Sequence, residues 1–308
     1  MSWIKVFAPA SIGNIGPGFD VLGLAIDTVG DIIRARKIDE GIIISEITGL
    51  DNLPKEAGRN TAGIAASEVL KEIGTKGGIE IKLEKGVPAG SGLGSSASSA
   101  AAGAFAANYL YGEKLLKEEL IDPATIAESF VSGGYFADNT APSLLGGATI
   151  TRNKKPLDVI KLGSIDELII VVTTPEYKLL TKKARDILPE WVPMEGFISN
   201  MANACLIASA FSKNDYQLLA RSIHDYVIEP VRAELIPGFK DVKKAALDAD
   251  ADGCSISGAG PSLFAITNDK NKAEEIGRAM EEAFLKNGLK SVYRVCRAYD
   301  KGTAVIKE

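Results

Sequence analysis

The chain is poor in the residues behind several large classes of chemistry. It holds one histidine, His224, among 308 residues, so a histidine metal cluster is excluded and a Ser-His-Asp engine has a single imidazole to draw on. Its cysteines, Cys205, Cys254 and Cys296, are odd in number and far apart. That spacing suits neither a zinc site nor a small disulfide scaffold, and three reduced, mostly buried thiols are expected. Aromatic residues are only 6% and the net charge is -5; with no stacking platform for bases and no broad cationic face, nucleic acid is not an expected partner. No apolar run approaches the ~18 residues of a membrane span, and the opening "MSWIKVFAPA" lacks the charged-then-apolar order of an export signal. A cytoplasmic protein without membrane contact is expected. No Gly-Lys pair occurs anywhere, which removes the Walker A loop, and neither a Gly-x-Ser-x-Gly elbow nor a protein-kinase catalytic loop is present.

What remains is ordinary globular material, 46% hydrophobic and 24% charged, enough for about two domains of ~150 residues. "IIRARKID" and "IIISEI" flank Glu40-Gly41 and read as a hairpin. Asn60 or Thr61 caps a helix that runs to Gly74. "IEIKLE" alternates apolar and charged residues with the period of a strand that has one wet face. A small-residue helix then ends at Gly112, and Asp122-Pro123 reads as an N-cap with proline in the first helical position. Strands follow at "GATIT" and "LDVIKL", with a domain boundary near residue 155 that separates 1–155 from 156–308. The second half reads as a strand at "LIIVVTT", helices over Leu179–Leu188 and Phe197–Ser212, one through "YQLLARSIHDYV" and one at "KDVKKAALDA". Beyond "CSISGAGPSLFAIT" come an amphipathic helix over Ala273–Asn287 and the strand "VYRVCRA". This order predicts an α+β domain with a mostly antiparallel sheet.

The segment "VPAGSGLGSSASSAAAGA", Val87 to Ala104, lies between a strand and a helix, where backbone amides converge. Gly90, Gly92 and Gly94 let the backbone bend and approach a ligand, while Ser95, Ser96 and Ser98 add hydroxyls near a helix start that favours an anion. A phosphate fits that description. The segment lacks the third glycine of the dinucleotide fingerprint, and the competing reading is a flexible linker ahead of an alanine-rich core helix.

"PAGSGLGSSAS" resembles the phosphate loop of the GHMP kinases, "APASIGNIGPGFDVLG" their first motif and "SGAGPSLFAI" their glycine-rich third motif, in the same order and across almost the whole chain. "NIGPGFDVLG", "DNTAPSLLGG", "TKKARDILP" and "EPVRAELIPGF" are most similar to the branch that phosphorylates L-homoserine. The resemblance implies an α+β protein with an N-terminal domain like domain two of ribosomal protein S5, a ferredoxin-like C-terminal domain, and an active site in the cleft between them. It implies ATP-dependent conversion of L-homoserine to O-phospho-L-homoserine in threonine biosynthesis, with magnesium, often as a homodimer. Alternatives are a kinase for another small alcohol, mevalonate- or shikimate-like, and a nucleotide-binding regulator without catalysis.

Carried residue by residue, the resemblance assigns the triphosphate to the loop: Pro88, Ala89, Gly90, Ser91, Gly92, Leu93, Gly94, Ser95, Ser96, Ala97 and Ser98. Asn60, after Arg59, falls in the adenine-pocket segment. The metal goes to Ser96 and Glu128, although Glu128 by itself reads as a solvated helix glutamate. Arg185 and Arg232 are matched to the substrate carboxylate, Asp20 to its ammonium and Asn14 to a directional hydrogen bond. Asn139 is matched to orientation of the attacking hydroxyl, with the adjacent Asp138 mainly structural, where sister kinases use an aspartate as a base. Gly258, Ala259, Gly260 and Ser262 either wall the site or form a tight strand turn. One departure stands out: many members of the branch carry a histidine two residues before the aspartate, and this chain has Phe136, which cannot donate the imidazole's hydrogen bond.

Overall fold

The computed structural model describes residues 2–152 and 156–307; the expected boundary at 155 lies outside the described residues. The first half builds a sheet from β1 (Ile4–Gly13), β2 (Leu22–Ile38), β3 (Gly41–Thr48), β4 (Gly78–Glu84), β5 (Ala148–Arg152) and β6 (Asp158–Gly163), joined at its edge by a final strand, Ala304–Val305. β4 pairs antiparallel with β2 and parallel with β3. The chain does turn at Glu40-Gly41, but the hairpin expected there is absent, because β4 inserts between the two strands that flank the turn. Its alternation is the reason. Ile79, Ile81 and Leu83 are buried together with Ile33 and Ala35 of β2 and Ile44 of β3, so the core face is completed only with β4 in the middle.

Helices α1 (Thr61–Glu72), α2 (Ser95–Leu110), α3 (Ile121–Ser132) and α4 (Thr140–Leu145) cover that face. The alanines of α2 are buried all round, since their small side chains let neighbours approach closely. A Cβ at Gly103 would lie 2.2 Å from the Ala62 carbonyl oxygen, so α1 and α2 are in backbone contact there. Asp122 is not the cap of α3: the helix starts one residue earlier, and the carboxylate instead accepts the Tyr135 hydroxyl.

The second sheet contains β7 (Ile169–Pro175), β8 (Gly253–Ile256), β9 (Leu263–Thr267) and β10 (Ser291–Cys296), all antiparallel, in the order β10-β7-β9-β8. With helices between β7 and β8 and between β9 and β10, this is the ferredoxin-like split β-α-β arrangement. Its helices are α5 (Thr181–Asp186), α6 (Met194–Lys213), α7 (Tyr216–Ala220), α8 (Ile228–Arg232), α9 (Phe239–Asp248) and α10 (Lys270–Lys286). The helix expected through "YQLLARSIHDYV" stops at Ala220: Ser222 turns its hydroxyl back onto the Leu218 carbonyl, and Asp225 caps the start of α8, accepting the amides of Val227, Ile228 and Glu229. β6 and the last strand, β11, lie beyond residue 155 in sequence yet belong to the first sheet. All three cysteines are free, Cys254 and Cys296 buried and Cys205 exposed. Among the described residues no helix is long and apolar enough to cross a membrane.

Candidate active site

The glycine-serine loop leaves β4 and enters α2 with Gly90, Gly92 and Gly94 at φ +67, +83 and +66, a left-handed region where a side chain is strained. Space forbids one as well. A Cβ at Gly92 would lie 2.4 Å from the Ser257 carbonyl oxygen, and one at Gly94 would lie 2.3 Å from Ser11 Oγ. The loop is clamped on both sides: Ser11 donates its amide to the Leu93 carbonyl (3.1 Å), and Ser262 donates its own to the Ser91 carbonyl (3.0 Å). It is therefore a fixed element, not a linker.

Its serines divide by what their hydroxyls already hold. Ser91 donates to Pro88, Ser95 to Val87 and Ser98 to Ala8, each at a backbone carbonyl 2.7 to 2.8 Å away. Ser98 and Ala97 are fully buried and Leu93 nearly so, all within the core. Ser96 is different: its hydroxyl is turned onto none of these carbonyls and lies beside the Glu128 carboxylate, where it favours the ionised form. What the loop offers an anion is thus its backbone and the start of α2, which has no side-chain cap and leaves helix amides and the positive dipole end for a ligand.

Beneath the loop lies a buried ion pair that the sequence did not single out, Lys85 with Asp31. Asp31 also accepts the amides of Gly86 and Val87 (both 3.1 Å) and the Ser99 hydroxyl (2.7 Å), while Lys85 donates to the Ser95 carbonyl at 2.7 Å. Position offered one clue, since Lys85 immediately follows the strand that delivers the loop. Nothing in the local pattern of β2 marked Asp31.

Opposite the loop, the segment after β1 folds back with Asn14 and Asp20 at positive φ. Asn14 donates to the Gly258 carbonyl (2.9 Å) and accepts the Asp20 amide (3.1 Å). Arg185 grips Asp20 with both terminal nitrogens at 2.9 Å, and Arg232 donates to the same Gly258 carbonyl at 2.8 Å. Burial pulls the Arg232 guanidinium down to about 10, still charged at neutral pH. The two phenyl rings beside these arginines are Phe19 and Phe136.

Between the loop and the arginines sit the acids and the amide. Asn139 accepts the Ser11 hydroxyl (2.9 Å) and donates to Asp138 (3.1 Å), which fixes the orientation of its side chain. Burial, reinforced by the Asp20 charge, pushes Asp138 up to about 7. Burial likewise pushes Glu128 up to about 7 against the effect of the Ser96 hydroxyl, so Glu128 is far from the solvated helix glutamate its sequence suggests.

These groups open onto one cleft, lined by Asn14, Asp20, Gly90, Gly92, Gly94, Ser91, Ser95, Ser96, Glu128, Phe136, Asp138, Asn139, Arg185, Arg232, Gly258 and Ala259. A second, larger cavity adjoins it across Gly90, Ser95, Ser96, Leu179 and Thr181. Asn60 and Ala89 line that one. The Asn60 side chain is engaged there as the cap of α1 (Ala62 amide, 3.1 Å) and as a donor to the Pro54 carbonyl (2.9 Å). Pro88 lies on a third cavity, on another side of the loop. The glycine-rich segment after β8 is both a turn and a wall: Ser257 to Pro261 joins β8 to β9, Gly258 and Ala259 face the cleft, and Gly260 packs on Ile236. Ser262 lies behind it, hydrogen-bonded to Thr174 (2.8 Å).

A β4-loop-α2 turn with exposed helix amides, facing an arginine-lined ferredoxin-like domain, is the two-domain α+β arrangement of a small-molecule kinase fold. Family models agree: GHMP kinases N terminal domain over residues 60–147 and GHMP kinases C terminal over residues 207–286. The chain belongs to the GHMP kinases. It is 40% identical to the homoserine kinase of Chlorobium phaeobacteroides over 99% of this chain and 100% of the relative. It is 43% identical to the homoserine kinase of Arabidopsis thaliana over 98% and 84%. The solved structure of homoserine kinase from Cytophaga hutchinsonii superimposes with a TM-score of 0.94 at 43% identity, covering 99% of this chain and 98% of that one.

Proposed function

We propose that the protein transfers the terminal phosphoryl group of ATP to the side-chain hydroxyl of L-homoserine, giving O-phospho-L-homoserine and ADP. The observation that carries this reading is the shared cleft, in which an anion cradle and the charge set for a zwitterion, Asp20 with Arg185 and Arg232, face each other across Asn139. Phosphoryl transfer needs mainly alignment and charge neutralisation. The loop and the start of α2 hold the triphosphate, and the adjoining cavity beside Asn60 receives the nucleoside. The arginines take the α-carboxylate through paired hydrogen bonds, and Asp20 takes the ammonium. Asn139, held between Ser11 and Asp138, orients the hydroxyl whose oxygen bonds to the γ-phosphorus as the bond to the β-phosphate oxygen breaks, the hydroxyl proton passing to a phosphoryl oxygen and from there to solvent.

Magnesium fits the oxygen donors of Ser96 and Glu128, since Glu128 Oε2 is buried without a hydrogen-bond partner and magnesium takes oxygen ligands. When bound it neutralises charge on the triphosphate. A homodimer in the cytoplasm completes the reading; the first half of α6 buries none of its side chains and exposes Met194, Phe197, Ile198 and Met201, which supports a second copy as cover. Light scattering tests the dimer, and a monomeric mass removes it. ADP release assayed with homoserine, mevalonate and shikimate tests the activity. Turnover with homoserine is expected; turnover only with another alcohol, or ATP binding without turnover on any of them, overturns it.

A further inference from the structure

Arg185 is held more tightly than a surface arginine needs to be. Its two terminal nitrogens are engaged by Asp20, its Nε is buried without a partner, and its Cζ lies over the Phe136 ring, 4.0 Å from the centroid. A second ring, Phe19, stands 5.5 Å from the same guanidinium and 4.9 Å from that of Arg232. The Phe136 ring lies close against Gly134. A Cβ at Gly134 would lie 2.1 Å from its Cε2, so the ring occupies the space that any side chain at 134 would take. Stacking of a guanidinium on an aromatic face is favourable where water is displaced and leaves the edge nitrogens free to bind in plane.

We propose that Phe136 is a positioning residue for the amino-acid substrate: its ring face keeps the Arg185 guanidinium in place, so that the edge gripped by Asp20 stays oriented when the substrate α-carboxylate takes Asp20's place and Asp20 turns to the ammonium. The proposal rests on the reading that Arg185 receives the substrate carboxylate. It makes Phe136 a determinant of homoserine affinity and leaves the nucleotide half of the site untouched, because no residue of the loop packs between ring and arginine in this pairing.

The test is steady-state kinetics on Phe136→Leu, Phe136→Tyr and Gly134→Ala, with thermal melts as the control for folding. Phe136→Leu is expected to raise KM for homoserine by roughly five- to tenfold, with kcat within about twofold and KM for ATP unchanged. Phe136→Tyr keeps the ring face and is expected to retain the original KM. Gly134→Ala displaces the ring without removing it and is expected to raise KM for homoserine in the same way, although its backbone angle tolerates alanine. A Phe136→Leu enzyme with unaltered homoserine KM, or one in which both KM values rise together, overturns the proposal while the parent enzyme still turns over homoserine. A parent enzyme that does not phosphorylate homoserine overturns the proposal together with the functional reading it rests on.

Discussion

Lys85 and Asp31 form an ion pair at the root of the glycine-serine loop, with their side chains only 3% and 0% exposed. The pair joins three elements: Asp31 belongs to β2, Lys85 lies one residue past β4, and Lys85 reaches the Ser95 carbonyl and Ser99 hydroxyl of α2. Burial costs both ions their hydration and holds the Lys85 ammonium below its usual range despite Asp31. Every remaining hydrogen bond of the Asp31 carboxylate is to the loop entry or to α2, so the pair acts as a brace for the loop.

Removing one partner therefore strands the other. Lys85→Met is expected to destabilise the fold by about 3–5 kcal/mol, the cost of an uncompensated buried charge, and to raise KM for ATP. The double change Asp31→Asn, Lys85→Met should recover much of the stability. Denaturant unfolding of the two variants checks this; a loss below about 1 kcal/mol for Lys85→Met would mean that the pair braces nothing.

Asp138 should make stability depend on pH in a definite direction. Burial pushes its carboxyl up to about 7 in the folded chain from an ordinary aspartate value of 3.8, so between those values the folded state holds a proton that the unfolded state has released. Stability supplied by the protonated form is complete below the unfolded value and is lost as pH rises toward 7. Asp138→Asn, which cannot ionise, is expected to gain on the parent between pH 5 and pH 8, by up to about 3 kcal/mol. Melting curves across that range test it, and a constant difference would contradict the assignment.

For the chemistry, the two neighbours in Asp138-Asn139 are expected to differ. Asn139→Ala removes the amide held between Ser11 and Asp138 and should lower kcat by roughly a hundredfold through lost orientation. Asp138→Asn should cost less. A larger loss from the aspartate change would assign Asp138 the role of a base.

Gly92→Ala tests the cradle itself. Alanine there meets both a positive φ of +83 and the Ser257 carbonyl oxygen at 2.4 Å, so about 1–3 kcal/mol of strain must be relieved by moving the loop. Calorimetric titration with ATP should show affinity lost well beyond the change in stability. Unchanged affinity would place the triphosphate elsewhere.

Much of this was readable along the chain. Three glycines ahead of a helix start mark a backbone that turns left-handed and exposes amides, and the structure has all three at positive φ. The alternation of Ile79, Ile81 and Leu83 marks β4. Those signals survive because they depend on a residue and its near neighbours. The serines show the limit: Ser95, Ser96 and Ser98 are alike in type and position, yet one faces Glu128 of α3 and two are turned onto carbonyls, of Val87 in the loop and Ala8 in β1, a choice made by which segment lies opposite each.

Backbone chemistry written residue by residue was enough to specify the loop, the strand that precedes it and the amphipathic α10. Long-range packing alone decided the rest. Whether β3 pairs with β2 or with β4 depends on which arrangement buries one apolar face, and the answer set aside a local hairpin signal. The union of Asp20 with Arg185 across 165 positions, and of Asn14 with Gly258 across 244, exists only because two sheets and their helices meet at the cleft. Hydrogen bonds at such separations carry no local trace, since their loop-closure cost is met by the whole core and not by the residues that form them.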